Sequence, residues 1–357
     1  MNARRATWIL FFGVVAFCVG VTEVALRVMF HESKWLDPAE NELWYLALQD
    51  TSHLHYRGRD IMHDPVLAWR MQPNLDFKGV HTNKWGMRGA IDYPKERVEG
   101  KKRVMLLGDS FTHGLGAKDE DVYGRVVERN HDDVEVLICA SNSWGLDQMY
   151  LEYERYKSDF DPDVIVVGIY EDDILRAGVD AREYIKPRFI VKGDELELTN
   201  VPIPTVDKFD PSMVPLDHRP RIVDAAEFVY KRIKLSNTGN YMWDSKFEEL
   251  TKVTQYLLRD LKALAAKQPR KPQIVVLVWG SMHYESAYDS VRLRKMVVDT
   301  AQSLELPVVD FTDRLHAKSK SGVQVYDPAH AHWTQVGHEI AAQALEEQLQ
   351  KIGFFGP

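Results

Sequence analysis

Val104-Met105-Leu106-Leu107-Gly108-Asp109-Ser110-Phe111-Thr112-His113-Gly114 is the stretch whose reading decides the fold. Four apolar residues run without interruption into a glycine, and a short polar turn follows at once. A run that is apolar on both faces suits a strand buried on both sides of a parallel sheet. Similar runs recur at 134–140 (VEVLICA), 164–170 (VIVVGIY), 274–279 (IVVLVW) and 306–311 (LPVVDF). The amphipathic segments around 121–130, 146–158, 247–267, 288–304 and 334–351 read as helices. Strand–helix alternation predicts a doubly wound α/β sandwich, with its site at the carboxyl ends of the strands.

Outward from this block, two regions break the rhythm. Residues 31–100 are mixed and rich in Trp, Pro, Asn and Gly, and read as an irregular extension ahead of a domain at 101–357. An insertion over about 175–243 follows the third strand and contains an apparent hairpin, FIVKGDELELTNVPIP (189–204). Inserted material beside a strand end is either a lid or a packing appendage.

At the N-terminus, Arg4 and Arg5 precede an apolar run from Trp8 to Val21, which extends to Phe30 through Glu23 and Arg27. Taken to Phe30, the run approaches the roughly 20 residues that a bilayer requires. Glu23 and Arg27, four apart, are placed to pair on a helix or to reach the interface. The basic flank puts the N-terminus in the cytoplasm and the remainder outside. No A-x-A cleavage site follows, so residues 1–30 read as a retained anchor, ahead of a removed signal peptide or a buried core helix.

Composition narrows the classes. The chain has 357 residues, 45% hydrophobic and 27% charged, with a net charge of −8. That balance, with no basic run interleaved with aromatics, argues against a nucleic-acid partner. The two cysteines, Cys18 and Cys139, lie in the apolar N-terminal run and in a core strand. They form no disulfide framework and do not indicate a redox compartment.

Two segments carry chemistry. A serine just past a buried strand, flanked by glycines, sits where a nucleophile is exposed at the sheet edge, near helix N-terminal amides that stabilise an oxyanion. The bland alternative is a tight turn in which Ser110 caps a helix. No G-x-S-x-G elbow surrounds Ser110, and Ser141-Asn142-Ser143-Trp144-Gly145 resembles one only loosely. The second segment is Asp327-Pro328-Ala329-His330-Ala331-His332-Trp333-Thr334-Gln335-Val336-Gly337-His338. A histidine on this loop would take the serine proton, and an aspartate would hold the histidine's tautomer. Asp327, His330, His332 and His338 are also metal-capable residue types, which keeps a metallohydrolase as an alternative.

With these blocks in view, the chain resembles the SGNH/GDSL hydrolase superfamily, in particular its membrane-anchored bacterial members. The resemblance covers most of residues 60–345. It includes Pro73-Asn74, Thr82-Asn83-Lys84-Trp85-Gly86-Met87-Arg88-Gly89, the GDSFTHG block, Gly145-Leu146-Asp147-Gln148, Asp172-Asp173, and His332-Trp333 with Gly337-His338. It implies a three-layer, flavodoxin-like α/β/α sandwich, Ser110 as nucleophile and His332 as base. No cofactor or metal is implied.

Three positions depart from the family pattern. The oxyanion glycine falls on Ser143, unless Gly145 fills that role. The usual asparagine donor is Asp172, and an ionised carboxylate cannot donate a hydrogen bond. Asp172 must therefore be protonated, aided by Glu171 and Asp173, be turned away, or mark an altered activity. The acid three before the histidine is Ala329. Asp327 lies five before His332 but three before His330, so downstream spacing favours His332 and upstream spacing His330.

The resemblance implies an extracytoplasmic esterase or O-acyltransferase for acylated envelope glycans or lipids, with acetyl the favoured group. The alternative of a different class is a non-catalytic glycan-binding or assembly protein on the same fold. His113 reads either as a substrate contact or as a solvent-exposed turn residue. Tyr184, Lys186 and Arg188 read as an anionic-glycan contact or, more simply, as solvated surface.

Overall fold

The structure is a computed structural model. It describes residues 3–29, 60–77, 79–180, 184–205, 244–280 and 288–356, with position 220 and separate positions between 222 and 230. Residues 31–59 of the extension, and the insertion's connections at 206–219 and 231–243, lie outside the described residues.

Five strands form the central sheet: β5 (Lys102–Gly108), β6 (Val134–Ala140), β7 (Val164–Tyr170), β10 (Gln273–Trp279) and β11 (Val308–Asp310). Their order is β11-β10-β7-β5-β6, and every pairing is parallel. Alternate residues face opposite layers, as the pleat requires. Met105 and Leu107 join one core with helices Leu146–Phe160, Asp244–Ala266 and Tyr288–Ser303. Val104 and Leu106 join another with helices Tyr123–Asn130 and Gln335–Lys351. The result is the expected three-layer sandwich. Burial drives it: each fully buried aliphatic side chain contributes about 1.5–3 kcal/mol, and the inner positions of β5 to β7 are almost fully enclosed.

The chain leaves β5 toward β6 across one face, and β6 toward β7 across the other. Between β5 and β7 the order therefore reverses, and a crevice opens at their carboxyl ends. Ser110 follows β5 at that crevice, and helix Glu171–Ala177 follows β7.

Residues 60–93 differ from the irregular lead-in expected of them. They form β1 (Ile61–Asp64) with β2 (Ala68–Met71), and β3 (Asp76–Phe77) with β4 (Val80–His81), both pairs antiparallel. Leu67, Trp69, Met87 and Tyr93 lie in the same core as Met105 and Leu107. Arg88, fully enclosed, ties this segment to the turn after β5 by donating to the His113, Gly114 and Ala117 carbonyls and to Asp119.

The insertion's hairpin is β8 (Arg188–Lys192) with β9 (Glu195–Thr199), closed by Gly193 and Asp194. It packs on helix Asp244–Ala266 as an appendage, and none of residues 184–205 walls the cleft described below. Tyr184 is buried, Lys186 is enclosed on Asp147, and Arg188 pairs with Asp180 and Glu249. Tyr184 and Lys186 are thus core rather than solvated surface, and Arg188 is partly exposed beside its two carboxylates.

The N-terminal helix runs Ala3–Met29, with the Glu23–Arg27 pair at 2.6 Å. Its Arg4–Val28 stretch, whose most apolar 18-residue window has a mean hydropathy of 2.4, is long and apolar enough to cross a membrane. Trp8, Phe11, Phe12 and Phe17 are exposed, which removes the core-helix alternative.

Candidate active site

The turn after β5 is made by Asp109, not by Ser110. Asp109 caps the short helix Ser110–His113, its Oδ1 accepting the Phe111 N–H at 2.9 Å. Ser110 is thus the first helical residue, and its own N–H has no partner within the helix. Gly108 lets this turn close, because a Cβ there would collide with Thr112. His113 is enclosed rather than exposed, its buried Nδ1 has no partner among the described residues, and burial pulls its pKa well down. It does not line the cleft.

The histidine loop is closed by backbone. Tyr326 bridges Trp333, the Asp327 N–H donates to the His332 carbonyl at 2.8 Å, and the Ala331 N–H donates to the Asp327 carbonyl at 2.7 Å. Ala331 sits in the left-handed region (φ 58°), which turns the His330 carbonyl toward the His332 ring. His332 Nδ1 meets that carbonyl at 2.6 Å, and His332 Nε2 meets Ser110 Oγ at 2.7 Å. A carbonyl only accepts, so Nδ1 carries the ring proton and Nε2 presents a lone pair to the serine hydroxyl. Phe111 stacks on the imidazole, with centroids 4.6 Å apart. The structure thereby chooses His332 over His330 as the imidazole at Ser110.

Burial lowers the pKa of His332, against a raising influence from the His330 carbonyl and the Asp109 charge. The ring is therefore neutral near pH 7, the form a base requires. Asp109 Oδ2 also lies 3.3 Å from Ser110 Oγ. A negative charge accordingly sits on the serine side of the imidazole.

Three expected positions are corrected. The Asp327 carboxylate does not reach His332 Nδ1, whose partner is a carbonyl; it accepts the Ala329 N–H at 2.7 Å and lies 3.6 Å from His330 Nε2. Two extra residues in the loop move the acid onto the neighbouring histidine. Gly145 is not in the cleft wall: its N–H donates to Gln148 Oε1, and a Cβ there would fall 2.9 Å from the Ala177 amide nitrogen. Ser143 does face the cleft and takes the left-handed conformation (φ 62°) that favours glycine. Asp172 is turned onto Arg176, with Oδ2 at 3.0 Å from Nη2, and is outside the cleft wall; Arg176 is in it.

The cleft has a volume of about 390 Å³. Besides Ser110, His332, His330 and Ser143, its walls include Trp69, Phe111 and Tyr170. Trp69 Nε1 donates to the Asn142 carbonyl at 2.8 Å, which ties residues 60–71 to the Ser143 turn. Residue type alone marked none of Asp60, Trp69, Tyr170 or Arg176 as site residues. Arg176 had one local signal, its place one helical turn after Asp172. Among the described residues, no three His, Cys, Asp or Glu side chains gather as a metal set, and His338 is buried against Tyr123.

No protein-family model and no curated protein matches the chain. Solved structures do. The chain is similar to a lipolytic protein of the G-D-S-L family from Veillonella parvula, at 12% identity over 69% of this chain and 97% of that one, with a TM-score of 0.40. It is similar to the psychrotrophic esterase EstA from Pseudoalteromonas sp., at 8% identity over 71% and 98%, with a TM-score of 0.42. It is also similar to a lipase/acylhydrolase from Enterococcus faecalis, at 12% identity over 70% and 96%, with a TM-score of 0.39.

Proposed function

We propose that this chain is a serine esterase or O-acyltransferase of the SGNH/GDSL type. Its N-terminal helix anchors it, and its site works outside the cytoplasm on small acyl esters, acetyl foremost, of envelope glycans or lipids. The observation that carries the reading is the contact between His332 Nε2 and Ser110 Oγ at 2.7 Å, with Nδ1 committed to a carbonyl. Arg4 and Arg5 before the apolar helix support the outward orientation.

The chemistry follows from that contact. Ser110 Oγ attacks the acyl carbon while His332 Nε2 takes its proton. The carbonyl electrons move onto oxygen, toward the Ser110 and Ser143 amides. The carbon–oxygen bond to the alcohol breaks, and the imidazolium returns its proton to the departing oxygen. The acyl group now sits on Ser110. Water or an acceptor hydroxyl then attacks, losing its proton to His332, which returns it to Ser110 Oγ as the acyl–serine bond breaks. Hydrolysis and transfer differ only in which nucleophile enters a cleft walled by Trp69, Phe111 and Tyr170.

A fluorophosphonate probe tests the reading. The expected result is one label per chain, abolished by Ser110→Ala and strongly slowed by His332→Ala, with p-nitrophenyl acetate turnover lost in both. A folded wild-type chain that neither labels at Ser110 nor turns over the ester would leave the glycan-binding alternative in its place.

A further inference from the structure

One side chain in the cleft wall is built for a task that the steps above leave unassigned. Arg176 is 8% exposed yet reaches the cleft. A guanidinium carries five N–H donors. Nη1 donates to Asp173 Oδ1 at 2.8 Å, Asp109 Oδ2 at 3.1 Å and the Trp144 carbonyl at 3.2 Å, and Nη2 donates to Asp172 Oδ2 at 3.0 Å. Nε is buried and has no acceptor among the described residues. Leaving a buried donor unspent costs about 1–3 kcal/mol, more when the group is charged. That Nε is closed off from the cleft, so the donor left for a ligand acceptor is the second Nη2 N–H, since Nη2 is bonded to Asp172 alone among the described residues.

Its position names that acceptor. The Asp109 oxygen gripped by Nη1 also lies 3.3 Å from Ser110 Oγ, which brings the guanidinium to the nucleophile's end of the cleft. Burial works against the cation, but Asp172, Asp173 and Asp109 outweigh it and hold its pKa above the usual arginine value. Asp172 itself only accepts when ionised.

We propose that Arg176 is the side-chain donor to the oxyanion formed when Ser110 attacks an acyl carbonyl. It donates an N–H and transfers no proton; the proton goes to His332. Asp109, Asp172 and Asp173 act as its clamp. The inference rests on Ser110 being the nucleophile.

Arg176→Lys in the full chain is the test. It keeps a cation for the three carboxylates and removes the planar fork. The expected result is a kcat for p-nitrophenyl acetate lower by about 10²-fold, as for loss of one oxyanion donor. Fluorophosphonate labelling of Ser110 slows in parallel, while KM, the acid limb of the pH profile and the melting temperature stay near wild type. A wild-type kcat, or a loss confined to KM or to melting temperature, overturns the assignment. Should Arg176→Lys fail to fold, Asp172→Ala with Arg176→Met removes one charge of each sign and carries the same expectation and the same contrary result. An active, labelled wild type beside an unimpaired variant rejects Arg176 alone; a wild type inert at Ser110 rejects both readings together.

Discussion

The turn after β5 and the loop before the last helix each deliver one partner of the Ser110–His332 contact, and they do so by different means. The first is enclosed: Ser110 to His113 are all buried, with Asp109 capping the helix and Gly108 closing the turn. The second is largely exposed from Asp327 to Ala331 and is held by a short backbone ladder, a left-handed Ala331 and the stack on Phe111. Once its turn is placed, a seryl oxygen has a single side-chain torsion left to set. An imidazole has two, so it needs a hydrogen bond at its far nitrogen and a ring against its face. Here the far nitrogen finds the carbonyl of His330 where an aspartate was expected.

The largest test of that contrast removes either partner. In Ser110→Ala or His332→Ala, kcat/KM for p-nitrophenyl acetate is expected to fall roughly a thousandfold or more, because the two groups act as a unit. Equal losses in the single and double variants would show that coupling, and additive losses would break it.

Phe111 joins the two regions, since it belongs to the turn and covers the imidazole. It also contacts Trp279 and Trp333. Phe111→Ala should cost about 3–5 kcal/mol in denaturant unfolding, as buried Phe truncations do. If stability falls by that amount while activity per folded molecule is unchanged, the stack does not hold the ring.

Acid titration probes the loop's side. Burial lowers the His332 pKa below the ordinary 6.5, so the neutral base persists to more acid pH. Activity should be full at neutral pH and decline as the pH falls through that lowered value, which sets the acid limb of kcat/KM below 6.5. A limb at or above 6.5 would contradict the enclosed ring.

The smallest expected effect sharpens the comparison most. Asp327→Asn keeps an oxygen for the Ala329 N–H and leaves the His332 Nδ1 contact intact. Activity should drop less than about tenfold, against the ~10⁴-fold loss seen where an aspartate orients the base directly. A large loss would return the orienting role to Asp327.

Much of this was legible from local pattern. Apolar runs at 104–108, 134–140 and 164–170 became β5, β6 and β7 within two residues of their expected ends, because a strand buried on both faces writes its burial into every consecutive position. Residues 60–93 escaped that reading, since strands of two to four residues leave no period to detect. At the site, residue type and position brought forward Ser110 and the histidine loop with Asp327, and the family resemblance added His332 as base and Ser143, Gly145 and Asp172 as oxyanion candidates. The structure turns Asp327, Gly145 and Asp172 elsewhere.

The sequence by itself determined the layered α/β architecture, the serine after the first sheet strand and the two candidate histidines, since these follow from chain-local periodicity and turn chemistry. Only the tertiary structure decided which imidazole meets Ser110, that a carbonyl orients it, and that Arg176 takes the cleft wall beside a turned-away Asp172. Such partnerships depend on where side chains from separate strand ends converge, and hydrogen bonds act over a few ångströms of space whatever the separation along the chain.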